Sequence, residues 1–463
     1  MSRIETDYLV VGAGATGMAF VDALISATDA DVVMVDRRHR PGGHWLDAYP
    51  FVRLHQPSAN YGVTSRVLGN DRIDESGPNA GFYERSTAAE ICDYFNRVLE
   101  ETLLASGRGR FFPMSDYRGE DADGHHFVSL LTGVDTTVHV RRKIVDATYV
   151  ESSIPSRHTP RYEIDADARV IPPNDLVDLA EPGAGFTIIG AGKTSMDTCS
   201  WLLDAGVDPG AIRWIRPRDG WFFNRSFMQP LELVGRYMQL QASFIAAAAQ
   251  CTDANDFSHR MEADGTFIRI DPTVEPGVFR GATLSTQELD ALRSIENVVR
   301  LGRVRRVSSD RVMFDDTELP TGAGHVYVDC TAEGLRPVVP QPVFADDRIT
   351  LQYVTIGIAP WSAATVAVVE ATADDDNGQK NALCPPVTFA GDTASTLTVA
   401  YAGMNGLMAR SAVPELATWT EACRLNPARG AANHAGEPEV MEAFTTIGAN
   451  VGPAMENLAR LVG

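Results

Sequence analysis

Tyr8-Leu9-Val10-Val11-Gly12-Ala13-Gly14-Ala15-Thr16-Gly17-Met18-Ala19-Phe20-Val21-Asp22-Ala23-Leu24 decides the fold. The first four residues make a buried strand, the glycines at Gly12, Gly14 and Gly17 a turn, and the residues from Met18 onward a helix. Each glycine has its own reason. The first permits the tight turn, the second lets backbone approach a pyrophosphate, and the third lets helix and strand pack closely. The helix start then offers unpaired N–H groups and a partial positive charge to the phosphates. A second apolar run, Val32-Val33-Met34-Val35, ends at Asp36, where an acid is placed to hold a ribose hydroxyl. A glycine-rich turn without a ligand is the plain alternative, and it leaves the strand, the helix and the acid without a common reason.

The residues after Asp36 extend the same site. Arg37 opens a basic cluster within reach of an adenosine or its phosphates, although a solvated loop explains a single arginine equally well. Pro41-Gly42-Gly43 makes a turn where the backbone at Gly43 approaches a flat ligand. Trp45 follows, either beside that ligand or in the core. Phe51 to Gly62 alternates polar and apolar residues without a helical period and is expected to be an extended loop.

The opening motif then recurs. Phe186-Thr187-Ile188-Ile189 leads into Gly190-Ala191-Gly192-Lys193-Thr194-Ser195, followed by a helix from Met196 and a strand Ile212-Arg213-Trp214-Ile215. Ser195 replaces the third glycine and is small enough to keep the packing. Where the first unit has Asp36, the second has Arg216-Pro217-Arg218. An acid suits a free ribose hydroxyl, and arginine suits a ribose 2′-phosphate, so the second site is expected to prefer NADPH to NADH. A surface pair of arginines is the alternative. The exit Val328-Asp329-Cys330-Thr331 echoes Val145-Asp146-Ala147-Thr148, so the chain holds two related nucleotide-binding folds.

Bulk properties narrow the class. At 463 residues the chain has room for two or three domains, and 44% hydrophobic with 22% charged residues is a globular composition. A net charge of −21 disfavours nucleic acid and anionic membranes as partners. The six cysteines are scattered without a CxxC pair, so neither a metal site nor a disulfide framework is expected, and a cytoplasmic location fits. No leader pattern and no apolar run of about 18 residues is evident. Helical stretches between 228 and 300 exceed what a βαβ core needs and suggest an insertion. Trp221-Phe222-Phe223-Asn224-Arg225 either walls a substrate pocket or packs the core. Asp374-Asp375-Asp376 is expected to be solvated, Pro386 to Asp392 to be a strand, and most of 413–462 to be helical.

GAGATG at 12–17, GAGKTS at 190–195 and AGD at 390–392 together resemble the flavoproteins with two dinucleotide-binding domains. More narrowly, the chain resembles the NADPH-dependent class B flavoprotein monooxygenases, which include flavin-containing and Baeyer–Villiger monooxygenases. Gly42-Gly43-His44-Trp45 resembles the GGxW segment of that family. The resemblance implies an α/β fold of two Rossmann-like domains, with FAD on the first glycine motif and NADPH on the second. It implies a discontinuous FAD-binding domain over 1–172 and 331–463, and an NADPH-binding domain over 173–330 with a helical insertion at about 228–300. Asp392 matches the aspartate that binds the ribityl chain.

By the same resemblance, the reaction passes through a flavin C4a-(hydro)peroxide. That species uses O2 to oxygenate a small-molecule substrate at nitrogen, sulfur or a carbonyl. Candidate lining residues are His44, Gln56, Asn60, Asn224 and Asn405. The family fingerprint, FxGxxxHxxx followed by an aromatic residue, is incomplete: Ser153 to Tyr162 contains His158 without the Phe-x-Gly before it. An FAD-dependent oxidase or dehydrogenase, or a nucleotide-binding protein without catalysis, therefore stays open. The oligomeric state is open as well.

Overall fold

Residues 8–11 are almost wholly apolar, and Tyr8, Leu9 and Val10 are buried, as befits a strand covered on both faces. In the computed structural model, which describes the chain except Met1, Leu335, Arg336, Asp374, Asp375, Phe389 and Ala390, Ser2–Val11 is central to a seven-stranded sheet. Val32–Val35 and Asp135–Asp146 flank it in parallel, and Gly109–Phe112 lies beyond Val32–Val35. Gly124–Ser129 and Ser115–Asp121 add an antiparallel meander on the other side. Asp135–Asp146 is a single strand of 12 residues.

The second unit repeats this plan. Its five-stranded sheet runs Val298–Val299, Ile212–Ile215, Gly185–Ile189, His325–Asp329, Val170–Ile171, all in parallel. Thr286–Arg293 puts Leu289 and Leu292 into the same core as Ile188, Met196 and Cys199. It is therefore the crossover helix of this sheet, and the additional structure ends before it. What remains of the insertion is the helices Val234–Gln250 and Ala254–Ala263 with the strands Phe267–Ile268 and Val278–Leu284.

Two expectations change at the C-terminal end. The position beside Asp135–Asp146 in the first sheet is filled by Arg348–Thr350, not by 386–392. The chain then passes Thr355-Ile356-Gly357 into the helix Ala359–Thr372, which packs on Ala15–Ala27. Pro386 to Thr388, Gly391 and Asp392 lie in no strand, and Phe389 and Ala390 of that expected strand are outside the described residues. Two consecutive prolines, Pro385 and Pro386, supply no N–H to a ladder. The helices Thr396–Ser411 and Pro438–Val462 join the insertion, sharing one apolar core with Trp221, Phe223, Phe244 and Phe267. Residues 331–463 thus divide between the first sheet and a separate helical layer. Of the acidic run, Asp374 and Asp375 lie outside the described residues.

Among the described residues no helix is long and apolar enough to cross a membrane, and no cluster of His, Cys, Asp or Glu is placed to hold a metal. All six cysteines are buried and unpaired.

Candidate active site

The first glycine turn is built for close approach. Gly12 has φ +104°, and a Cβ on Gly17 would lie 2.0 Å from the Gly12 carbonyl oxygen. Gly14 meets Gly43 directly: a Cβ on Gly43 would fall 2.8 Å from the Gly14 Cα. The amide of Gly42 donates to the Ala13 carbonyl at 3.0 Å and ties the two turns together. The Asp36 carboxylate accepts the amides of Ala13 at 2.6 Å and Arg38 at 2.7 Å, so the acid at the strand end also fixes the turn. Arg37 is exposed, with its guanidinium on Asp116 at 2.5 Å. Trp45 Nε1 donates to Tyr61 Oη at 2.8 Å, and the His44 ring lies 4.9 Å from that of Trp45. Gly43, His44, Trp45 and Tyr61 are thus gathered beside Gly14.

Tyr61 belongs to a loop pinned by the glycine-turn helix itself. Asp22, fully buried in that helix, accepts Thr64 N at 2.9 Å, Thr64 Oγ1 at 2.6 Å and Ser65 N at 3.0 Å, and also the Ser65 hydroxyl. Tyr94 Oη accepts Val63 N at 2.8 Å and donates to Arg66 O at 2.7 Å. An aspartate on the buried face of an apolar helix was the available sequence signal for this. On the pinned loop, Asn60 is 3% exposed, yet its side chain has no hydrogen-bond partner among the described residues. Gln56, half-buried, is likewise unpartnered among them. Asn405 lies on the helix Thr396–Ser411, where a Cβ on Gly403 would meet Ile356 Cγ1 at 2.6 Å. That helix therefore packs against the stretch leading from Arg348–Thr350 to Gly357.

Asn224 and Asp392 serve turns. Asn224 Nδ2 donates to Gly265 O at 2.9 Å, and its Oδ1 accepts Ser226 N at 3.1 Å and Ser226 Oγ at 2.8 Å, which commits the side chain to local structure. The Asp392 carboxylate accepts Ser395 N at 2.8 Å just before the helix Thr396–Ser411. Next to it, Thr393 bonds Pro276 O and Gly277 O, and Gly391 abuts Arg280. These partners belong to the second unit and its insertion, so Asp392 is not placed by a strand of the first sheet.

The second turn is built like the first but is open. Gly190 has φ +140°, and a Cβ there would lie 2.5 Å from Cys330 O, whereas a Cβ on Gly192 would meet nothing within 4 Å. Lys193 begins the helix Lys193–Asp204, a cation at the positive end of a helix dipole. It is ion-paired with Asp197, whose other oxygen accepts Tyr49 Oη at 2.7 Å. Ser195 Oγ donates to Gly192 O at 2.7 Å, and the Thr194 carbonyl accepts Thr198 Oγ1 at 2.8 Å.

The two arginines after Ile212–Ile215 part company. Arg216 is buried, ion-paired with Asp219 and seated 4.7 Å over the Trp214 ring, and burial pushes its pKa down to about 10. Arg218 is exposed. Of the pair, only Arg218 is left free to meet a 2′-phosphate.

Between the two units lies a charge cluster that no local pattern announced. Glu288 accepts Arg85 Nη2 at 3.2 Å and Arg225 Nη2 at 2.6 Å. Arg225 Nε also donates to His55 O at 3.1 Å, and Arg85 Nη1 to Leu54 O at 3.2 Å. Burial opposes ionisation of Glu288, but Lys193, Arg225 and Arg85 outweigh it and hold the carboxyl well below the usual range. The His55 pKa is pushed down to about 3, first by burial and then by Lys193; that of His44 falls to about 4, by burial and Arg38.

Both imidazoles are neutral in the fold, and the unfolded chain binds their protons below about pH 6.5. Their contribution to stability is therefore complete above that pH and is lost as pH falls toward 4 and 3. The urea midpoint is expected to be lower at pH 5.0 than at pH 7.5, and H55Q is expected to flatten part of that difference.

Comparison with known proteins agrees with this construction. Residues 10–65 match the family model described as an NAD(P)-binding Rossmann-like domain. The uncharacterized protein Rv2000 of Mycobacterium tuberculosis is 42% identical over 424 residues, covering 91% of this chain and 78% of that one. The chain belongs to the family of this mycobacterial protein. Among solved structures, polycyclic ketone monooxygenase from Thermothelomyces thermophila superposes with a TM-score of 0.55 at 11% identity, over 99% of this chain and 90% of that one. Cyclohexanone monooxygenase from Rhodococcus sp. Phi1, bound to NADP+, gives 0.50 at 14% identity over 80% and 84%. The fold is that of the two-domain flavin monooxygenases.

Proposed function

We propose that the chain is an NADPH-dependent FAD monooxygenase acting on a small organic substrate. The observation that carries this reading is the pair of like-built glycine turns, one in each unit. One is backed by Gly43 and the loop bearing the buried, unpartnered Asn60; the other is open at Gly192 beside Lys193. These residues fit the two cofactors. Gly14 and Gly43 carry no side chain where backbone meets backbone, and Gly192 has free space where a Cβ would stand. Gly12, Gly14, Gly17, Asp36, Gly43 and Trp45 would hold FAD, and Gly190, Gly192, Lys193, Thr194, Ser195 and Arg218 would hold NADPH.

The bound cofactors supply electron transfer from nicotinamide to flavin and the activation of O2. The chain's own residues bind, orient and exclude water. Asn60 and Gln56 offer amide groups that no partner among the described residues occupies, and His44 offers a neutral imidazole at pH 7. Asn405 lies on the helix Thr396–Ser411 of the helical layer. The start of Lys193–Asp204 and the Lys193 ammonium would hold the pyrophosphate of NADPH.

A purified, FAD-reconstituted sample tests the reading: NADPH consumed is expected to be matched by oxygenated product from an amine, thioether or ketone panel. Hydrogen peroxide as the sole product with every compound would sink it. That outcome would favour an FAD-dependent oxidase, the second reading, which the missing Phe-x-Gly before His158 supports.

The nicotinamide preference has its own test. R218A is expected to lower the NADPH-over-NADH ratio of kcat/KM by about tenfold or more, the loss of one charged phosphate contact. Removing the Asp219-paired Arg216 is expected to lower thermal stability with little change in that ratio.

A further inference from the structure

After the helix Pro414–Ala422 the chain turns back to the first unit, where Cys423 and Leu425 enter its core. Between them Arg424 is 8% exposed. Its Nη1 donates to Tyr61 O at 3.0 Å and Val63 O at 2.7 Å, and its Nη2 donates to Ala59 O at 2.7 Å. One guanidinium thus gathers the carbonyls of residues 59, 61 and 63, which bracket Asn60. No carboxylate among the described residues lies within ion-pair distance of it. A buried cation without a counter-charge is costly, and hydrogen bonds to charged donors are the strong kind that offset the cost. The fixed fork of an arginine reaches three acceptors at once, which the point charge of a lysine does not.

Asp22 and Tyr94 hold residues 63–66 of the same loop, so its far half is already fixed without Arg424. The half that carries Asn60 and Tyr61 is anchored at its start by Ser58, which bonds Glu84 O and Ser86, and beyond that point its carbonyls are gathered by a side chain more than 360 positions away. Tyr61 in turn receives the Trp45 indole N–H, which ties the clamp to the Gly43 turn.

We propose that Arg424 is a positioning residue for the Asn60–Tyr61 loop, making the C-terminal segment a working part of the active site. The loop's catalytic purpose rests on the monooxygenase reading; the clamp itself does not.

Two measurements on R424K separate these. In cofactor-free protein, hydrogen exchange of peptides covering 59–63 is expected to quicken roughly tenfold while those of the helix Ala88–Val98 stay unchanged, the mark of a local opening. In FAD-reconstituted protein, R424K is expected to lower oxygenated product per NADPH by about tenfold, the scale of a modest misplacement of reacting groups. N60A is expected to do the same, and the double variant to be no worse than either alone, because both act through one group. Unchanged exchange at 59–63 overturns the clamp. Losses that multiply in the double variant overturn its action through Asn60. Quickened exchange in a protein that binds no FAD upholds the clamp and sinks the monooxygenase reading instead. R424Q carries the same comparison if R424K does not accumulate in folded form.

Discussion

G192A is expected to leave thermal stability unchanged and to weaken NADPH binding by about tenfold or more. Gly192 has φ −92°, which any residue adopts, and the added methyl would touch no protein atom within 4 Å. The protein therefore loses nothing. What the methyl would meet is a pyrophosphate drawn to the helix start, where the second glycine of the motif exists to admit it. G17A is the contrast. Its methyl would lie 2.0 Å from a backbone oxygen, so the fold yields first, at about 3 kcal/mol or more. Melting curves with an NADPH titration on the two variants distinguish a ligand-made constraint from a packing one. Unaltered NADPH affinity in G192A would remove the second site from the account.

E288A is expected to destabilise the protein by about 3–5 kcal/mol, the cost of breaking a buried ion cluster from one side. It leaves Arg225, which is fully buried, and Arg85 without their counter-charge. Replacing all three by apolar residues is expected to recover much of the loss, since the cluster's desolvation goes with it. The pH behaviour separates Glu288 from the histidines. Its folded pKa is depressed, so its contribution is present above the unfolded value near pH 4.3 and is lost only as pH falls through the lower folded value. Between pH 5 and 8 the E288A deficit is expected to be constant, whereas the His55 effect changes across that range. Urea unfolding at both ends of the range measures it.

The glycine turns were legible because their spacing carries its own mechanism: positive φ at Gly12 and Gly190, and close packing at Gly17, follow from the two glycine motifs at 12–17 and 190–195. The repeat of strand, turn and helix was legible for the same reason. The last strand of the first sheet was not. Arg348–Thr350 is three residues long and has no punctuation, while Pro386 to Asp392 ends in a Gly-Asp that looks like the expected exit. Arg216 and Asn224 sit at informative places in the sequence, but Asp219, three residues on, and the 224–226 turn claim them, a choice set by burial rather than by spacing. Asp22, Arg85, Arg225, Glu288 and Arg424 share one property. Each meets its partner across a long sequence separation or on a buried face, where residue type without tertiary context says only that a polar group needs an answer.

An anaerobic titration tests most directly whether FAD is held on the first turn and NADPH on the second. Protein reconstituted with FAD is expected to retain the flavin in equimolar amount, to be bleached by stoichiometric NADPH and far more slowly by NADH, and to return to the oxidised spectrum when O2 is admitted. A colourless protein after reconstitution, or a bound flavin that neither nicotinamide reduces, would contradict it.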